Sequence, residues 1–462
     1  MQKYKEFPTP VSFWKMLGPS FLMLALGFGS GEIILWPYLV SNFGLGLAWG
    51  ALLGITCQYF INMEIERYAL VKGESVFVGL YRQLPILAHW FSLTTFLGFA
   101  LPGIISASAK IFGVVFGVGE YRFIAIFLLI FIGLLLSASV TVYARMEKIT
   151  RILIFGGLTL IFALTFQLAK VFDWQTLFAG LVGKGDGFWL LPSGISLSTF
   201  LGAFAYSGAG GNLNLAQSIY IREKGYGMGF YSQKLSGFFR HIRGHQSLVM
   251  TGYEFEKNDQ NLATFRKWWK KISLEHLLIF WGGGLLGMLL LMLLSYISAY
   301  GSIGNQSGID FVINQASHLA STVGPNLSVV FLIAIGVLLF QTQLGVLDAS
   351  SRIICENIAL LRGGLESENK INLSKIYFFI LWSQIFFGIV LLAMNFHEPK
   401  TLIVTGAVIN AIAMTVHIGL VTFLNLKSLP QNMQAPPWRY GVILAIFFIF
   451  VGFCFITFTS FI

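Results

Sequence analysis

The chain has 462 residues, of which 56% are hydrophobic and 45 are phenylalanine. Charged residues make up 11%, against about 25% in soluble domains, and so few charges could not cover the surface of a water-soluble protein. The composition therefore excludes a soluble protein and predicts an integral membrane protein, while three scattered cysteines exclude a disulfide framework or a thiolate metal site.

Eleven apolar stretches are long enough to cross a bilayer core, which takes about 20 residues per helix. In chain order, spans 1 to 11 cover 17–41, 45–69, 86–117, 121–143, 149–171, 193–221, 275–299, 325–349, 375–396, 401–425 and 438–460. Lipid offers no hydrogen-bond partner to the backbone, and these stretches are too long for barrel strands. The sequence therefore predicts an all-α fold of eleven transmembrane helices.

The basic residues predict the orientation of these spans. If the N-terminal segment 1–16 is cytoplasmic, all but five of the 30 lysines and arginines lie on the cytoplasmic side. The exceptions are Lys110, Arg122, Lys170, Lys184 and Lys400. Positive charge favours the cytoplasmic side, so we expect a plasma (inner) membrane protein with its C-terminus outside. The net charge of +10 then reflects topology and anionic lipid neighbours, not binding to nucleic acid.

One long hydrophilic segment, 222–273, is predicted to be a cytoplasmic loop. Its Arg266–Lys271 stretch mixes tryptophan and lysine just before a span, which is typical of an anchor at headgroup depth. His241 and His245 have no third ligand nearby in the sequence, so we expect solvated loop residues and not a metal site.

Two spans contain a cluster of glycines near their centres. Span 1 has three glycines between Gly27 and Gly31, followed by Glu32, and span 6 has three between Ser207 and Asn212. Each interior glycine weakens a helix by about 1 kcal/mol relative to alanine, so both spans are predicted to be interrupted. A carboxylate at mid-membrane is costly and usually marks a functional site. Alternatively, the glycines allow close helix packing while Glu32 pairs with a buried lysine or arginine.

The two interruptions hold the same place in two halves of five spans, 17–171 and 193–425, with 438–460 as an additional helix. Because five is odd, the halves would have inverted topology, and paired interruptions are typical of a transporter with its site at the repeat interface. The ends of the half-helices offer free carbonyls to a cation and free amides to an anionic group.

Other polar residues fall inside the spans. Gln341 and Gln343 in span 8 point to different sides of a helix, so at most one can face a central site. Asp348 and Arg352 have the spacing of an ion pair on a helix, and His417 is one of few titratable groups at depth. No phosphate-binding loop or catalytic cluster stands out, so we do not expect an enzyme, and the sequence calls for no cofactor.

At the interruptions the sequence resembles the Nramp (natural resistance-associated macrophage protein) family. Gly18–Leu22 and Gly29–Glu32 are similar to the family's Gly-Pro-Gly start and Asp-Pro-Gly-Asn break, and Ala209–Leu213 falls where the family has Met-Pro-His-Asn-Leu. Trp49–Tyr59 and the Gly73–Glu74 turn are similar to its second helix. The resemblance implies a leucine-transporter-like fold of two inverted repeats and import of divalent metals coupled to protons.

The sequence departs from that family at the implied metal site. Gly29 replaces the metal-binding Asp, Glu32 the Asn, and Ala209 the Met, while Gly211 and Ala216 replace histidines. Loss of the thioether removes the ligand that favours soft metals. Loss of the Asp and His removes the family's usual proton carriers.

The expected site combines these arguments. The candidate substrate-binding residues are Gly29, Ser30, Glu32, Ser207, Ala209, Asn212 and Gln341. Glu32 and Asn212 are the candidate metal ligands, while Glu32 and His417 are the candidates for binding a proton or coupling ion.

The sequence thus predicts a secondary transporter that works by alternating access, and the resemblance implies a divalent cation such as Mn²⁺, Mg²⁺ or Fe²⁺ as its substrate. The alternative is a small organic solute such as an amine or amino acid. We expect the membrane potential to drive metal uptake, with inhibition at low pH and little proton import. The sequence does not indicate an oligomeric state.

Overall fold

The computed structural model describes residues 4–16, 18–138, 142–232, 248–367 and 371–459. His241 and His245 lie outside these ranges. Helices account for nearly all regular structure in the described residues, and one short antiparallel pair joins β1 (Leu248–Val249) to β2 (Glu366–Ser367).

Nineteen α-helices follow one another in the described part of the chain. They are α1 Phe13–Met16, α2 Pro19–Gly27, α3 Trp36–Phe43, α4 Ala48–Lys72, α5 Val76–Gln83, α6 Leu87–Phe99, α7 Gly103–Phe116, α8 Tyr121–Ser137, α9 Val142–Leu168, α10 Val171–Gly180, α11 Leu197–Ala205, α12 Leu213–Lys224, α13 Asp259–His276, α14 Gly284–Ala299, α15 Asp310–Thr322, α16 Pro325–Gly363, α17 Leu373–Ala393, α18 Pro399–Ser428 and α19 Pro437–Thr459. Two π-helical stretches, Ser30–Leu35 and Leu277–Gly283, lead directly into α3 and α14.

Each of the eleven predicted spans contains α-helix, but the helices differ in length and several spans are interrupted. Among the described residues, eight helices are long and apolar enough to cross a membrane, and nine if α9 and α10, bent by 116°, form one span. Span 4 is the 17-residue helix α8, and span 6 is divided between α11 and α12. The multi-pass membrane fold is confirmed, while the number eleven stays a prediction.

Span 3 contains a break that the sequence analysis did not predict. Helix α6 ends at Phe99 and α7 begins at Gly103, with Pro102 between them. Proline has no amide hydrogen to donate and clashes with the preceding turn, which accounts for the interruption. The break lies beside the interruptions of spans 1 and 6, as described below.

The segment 222–273 is not simply a loop, because α13 starts within it and runs through a π-helical stretch into α14. The predicted headgroup anchor is wrong for Trp268, which is buried and donates a hydrogen bond to the Pro8 carbonyl at 2.7 Å. The Arg67 guanidinium lies 3.8 Å from the ring centre of the neighbouring Trp269. These tryptophans therefore pack against protein, because the N-terminal segment lies along α13.

The surface of the bundle suits lipid. Large apolar side chains such as Phe127, Phe172, Phe379 and Phe455 are exposed on the outside of the helices. Contiguous apolar surface of this kind is rare on soluble monomers.

The predicted Asp348–Arg352 ion pair is confirmed at 2.8 Å in the buried part of α16.

Candidate functional site

Span 1 is interrupted at Phe28 and Gly29, between α2 and the π-helical stretch. The interruption is narrower than predicted, because Gly27 is still helical and residues 30–31 are already π-helical. Glycine is needed here for close approach. A Cβ atom at Gly31 would lie 1.9 Å from the Tyr206 carbonyl oxygen, and one at Gly27 would lie 2.9 Å from the backbone of Gly208. The two interruptions therefore touch through their backbones.

The free carbonyls at the end of α2 are satisfied by a residue that sequence reasoning missed. The Thr342 hydroxyl in α16 lies 2.5 Å from the Phe28 carbonyl oxygen and 3.3 Å from that of Ala25. Gly29 lets this side chain in, since a Cβ atom there would lie 2.3 Å from the Thr342 methyl group. The predicted residue Gly29 thus makes room for the threonine that caps α2.

Span 6 is interrupted over residues 206–212, as predicted. Gly208, Gly210 and Gly211 all have positive φ, at 128°, 66° and 54°, a conformation that side chains with a Cβ atom rarely adopt. Ala209 is buried between them. These four residues form the turn that connects α11 to α12.

The Gln58 side chain replaces the backbone hydrogen bonds that this turn lacks. Its amide nitrogen donates to the Ala205 carbonyl at 2.9 Å, and its oxygen accepts from the Gly210 amide at 3.1 Å. Ser207 is engaged in a similar way, because its hydroxyl donates to the Ala203 carbonyl at 3.0 Å and accepts from the Trp36 indole at 2.9 Å. The structure thus uses Ser207 to join spans 1 and 6.

Glu32 is fully buried one turn beyond the interruption of span 1. Among the described residues its carboxylate makes no ion pair and no well-formed hydrogen bond, and its polar contacts are to the backbone of Glu32 itself, Gly208 and Gly29. A Cβ atom at Gly27 would lie 2.7 Å from its Oε1. The alternative in which Glu32 pairs with a buried lysine or arginine therefore finds no support in the described residues.

Asn212 and Asn410 border the other side of the interruptions. The Asn212 amide donates to the hydroxyls of Thr94 at 2.8 Å and Thr95 at 3.0 Å. The Asn410 amide donates to the Tyr206 hydroxyl at 2.8 Å and the Gly98 carbonyl at 3.1 Å. The side-chain oxygen of each asparagine is buried and has no hydrogen-bond donor among the described residues.

A narrow pocket of about 20 Å³ opens beside the interruptions. Ser30, Tyr206 and Gln343 line it, together with residues on both sides of the break in span 3. Gln343 faces this pocket and has a buried side-chain oxygen without a donor among the described residues. Gln341, the glutamine named from the sequence, is buried in α16 but does not line the pocket.

His417 is buried in α18, and neither ring nitrogen has a hydrogen-bond partner among the described residues. No contact joins it to Glu32. No group of three or more His, Cys, Asp or Glu residues in the described ranges is arranged to hold a metal ion. At the interruptions the described residues thus place one buried carboxylate, that of Glu32, while the pocket beside it is lined by Ser30 and not by Glu32, Ser207 or Asn212.

No family model and no curated protein matches this sequence. Among solved structures, the fold is similar to that of a manganese transporter from Eremococcus coleocola. A crystal structure of a point mutant of that protein matches with a TM-score of 0.72 and 14% identity, over 99% of this chain and 90% of that chain. Its complex with an aromatic bis-isothiourea substituted compound matches with a TM-score of 0.69 and 15% identity over the same shares. The likeness confirms the predicted fold class, a leucine-transporter-like membrane fold with discontinuous spans 1 and 6.

Proposed function

We propose that the protein is a secondary transporter with alternating access and that its substrate is a hard divalent cation such as Mn²⁺ or Mg²⁺. The observation that carries this proposal is Glu32. Its carboxylate is fully buried where two interrupted helices meet, with no counter-cation among the described residues. An uncompensated buried charge is costly, so such a carboxylate must be protonated or bind a cation that is not part of the protein.

The chemistry of the surrounding atoms supports a hard cation. Near the interruptions, the buried side-chain oxygens without donors among the described residues include those of Glu32, Asn212, Gln343 and Asn410. Carboxylate, amide and carbonyl oxygens suit Mg²⁺ and Mn²⁺, whereas soft metals prefer sulfur ligands. Ala209 offers no such ligand at the position where the Nramp family has methionine.

The pocket beside the interruptions is small and is lined by Ser30 but not by Glu32. Its volume of about 20 Å³ has room for about one water-sized group, so an amine or amino acid would need a wider conformation there.

We infer that the chain is an outlying relative of the Nramp family, with the N-terminus in the cytoplasm and the C-terminus outside. The shared fold and the motifs in spans 1, 2 and 6 support the relationship, and the distribution of lysine and arginine supports the orientation. With the cytoplasm negative, each entering charge gains about 2.3 kcal/mol per 100 mV, so a divalent cation can enter without a coupled proton.

The test is Mn²⁺ uptake into proteoliposomes by the wild type and by Glu32→Gln. The variant should fold normally, because glutamine has the same shape as glutamate. Its rate of Mn²⁺ uptake should be at least about tenfold lower than that of the wild type. Glu120→Gln is the matched control, since that carboxylate is largely exposed. Wild-type uptake by Glu32→Gln would assign the carboxylate to structure, and uptake of amines or amino acids without Mn²⁺ or Mg²⁺ would favour the alternative.

A further inference from the structure

A second group of buried polar side chains lies at the N-terminal end of α2, away from the interruptions. We call Ser20, Glu66, Gln217, Glu275 and His276 the acid–histidine cluster. They come from four helices, α2, α4, α12 and α13, and each is at most 3% exposed. The cluster is thus where the first half of span 1 is held against its neighbours.

Hydrogen bonds connect the whole cluster. The Ser20 hydroxyl donates to Glu275 and lies 2.9 Å from Nδ1 of His276, which is 3.2 Å from Oε1 of Glu66. Gln217 donates to the same Glu66 oxygen. In either tautomer, Nδ1 of His276 lies within hydrogen-bonding distance of both the Ser20 hydroxyl and the Glu66 carboxylate. The chain from Glu66 to Glu275 therefore consists of groups that bind or pass protons.

The charges of this cluster do not balance without bound protons. Its two carboxylates are near enough to repel each other. A charged imidazole would offset one of them and leave a net charge of −1 in a site without water access. Two carboxylates that share one site cannot easily both ionise, and an uncompensated buried ion costs several kcal/mol.

The other charged groups nearby do not supply the missing positive charge. Arg439 of α19 and Arg67 of α4 both bond Glu64, at 3.1 and 3.0 Å. Tyr59 of α4 stacks on the His276 ring, with centroids 5.7 Å apart. Among the described residues, no lysine or arginine forms an ion pair with either carboxylate of the cluster.

Four buried atoms of the cluster also lack hydrogen-bond partners among the described residues. They are Oε2 of Glu66, Oε1 of Gln217, Oε1 of Glu275 and Nε2 of His276. Buried polar groups are nearly always satisfied, so the three oxygens of this set call for hydrogen-bond donors or a bound proton, whereas Nε2 of a charged imidazole would need an acceptor.

We propose that the acid–histidine cluster is a proton-binding site, in which a bound proton shared among its two carboxylates and imidazole locks the first half of span 1 against α12 and α13. When that proton is released, a net negative charge is left buried between the packed helices. Separation of α2 from α12 and α13 lets water reach this charge, so loss of the proton favours the separated state. Ser20 is the only member of the cluster on α2, and the Glu275 carboxylate also lies against the backbone of Gly18 and Ser20, so the lock depends on these contacts. Protons that bind and leave on the same side of the membrane give no net proton import.

The test uses a cysteine that is covered in the closed packing. Leu24 in α2 is buried, and its side chain lies 3.4 Å from where a Cβ atom of Gly284 would be. We would introduce Leu24→Cys after replacing the native cysteines Cys57, Cys355 and Cys454 by alanine. Labelling by a water-soluble maleimide, corrected for the reactivity of an exposed model thiol, then reports how often α2 separates from span 7. No substrate is added, so the result is independent of the proposed transport function.

The corrected labelling rate should rise between about pH 5 and about pH 8, by up to about tenfold per pH unit for one released proton. With Glu66→Gln and Glu275→Gln together, the cluster needs no extra proton, so labelling should be slow at every pH. Ser20→Ala, a small change that folds readily, should label fast at every pH. Glu256→Gln, at an exposed carboxylate, should keep the parent profile. A flat profile in the parent, or the parent profile in Ser20→Ala or in the double variant, would overturn the proposal.

Discussion

The closest backbone contact between spans 1 and 6 allows a sharp test of the site geometry. Replacing Gly31 by alanine would place a Cβ atom 1.9 Å from the Tyr206 carbonyl oxygen and 2.6 Å from its carbonyl carbon. An ordinary contact begins near 3.4 Å, so the two backbones would have to separate by about 1.5 Å. No flexible side chain can relieve the clash, because the atoms concerned belong to the main chain.

We expect Gly31→Ala to cost about 1–3 kcal/mol of stability, the usual cost of overpacking a buried site. Binding sites require their groups within about 0.5 Å of the productive geometry, so Mn²⁺ uptake should fall by at least about tenfold. Thermal unfolding in detergent and uptake into proteoliposomes measure the two effects separately.

Gly156→Ala is the matched control, because it changes a glycine inside span 5 where a Cβ atom meets nothing within 4 Å. Alanine favours a helix by about 1 kcal/mol over glycine, so this variant should be as stable as the wild type or slightly more stable. If Gly31→Ala behaved like this control in both assays, the proposed contact between the two interruptions would be refuted.

Two further substitutions test the side chains that satisfy the interruptions. Gln58→Leu keeps the volume but leaves the Ala205 carbonyl and the Gly210 amide without partners, so the variant should lose about 2–6 kcal/mol of stability at about 1–3 per group, as measured by thermal unfolding. Thr342→Val should lower stability by about 1–3 kcal/mol, because the Phe28 carbonyl loses its partner, while Thr342→Ser should restore most of it. An unchanged melting temperature in Gln58→Leu, or the same melting temperature for the valine and serine variants, would contradict these assignments.

Sequence reasoning located the interruptions but not the partners that hold them. The glycine clusters near Gly29 and Gly210 predict a break because they weaken a helix locally. This effect depends only on neighbouring residues in the sequence. Which side of α16 faces the break depends on how distant helices pack. The sequence therefore favours Gln341, whereas in the structure Thr342 contacts the break in span 1 and Gln343 lines the pocket. The break in span 3 did carry a local signal, Pro102, which hydropathy alone conceals.

The acid–histidine cluster illustrates the same limit in another way. Its members are spread from Ser20 to His276, and no spacing in the chain brings them together. Glu66 lies near the end of predicted span 2, where a charged residue is common at the membrane surface. Glu275 and His276 lie at the predicted start of span 7. Only the packing of four helices shows that these carboxylates share one buried site.

The π-helical stretch that contains Glu32 affects how any positional scan of span 1 must be read. Residues in an α-helix return to the same side every 3.6 positions. A π-helix has backbone hydrogen bonds between residues five apart and therefore more residues per turn. A series of single-site labels would therefore follow one phase up to Gly27 and a shifted phase from Trp36 onward, across Ser30–Leu35. If the stretch rewound into an α-helix during transport, α3 would rotate relative to Glu32 without losing a turn of hydrogen bonding. The phase of such a scan, recorded with and without substrate, would thus measure the angle of that rotation.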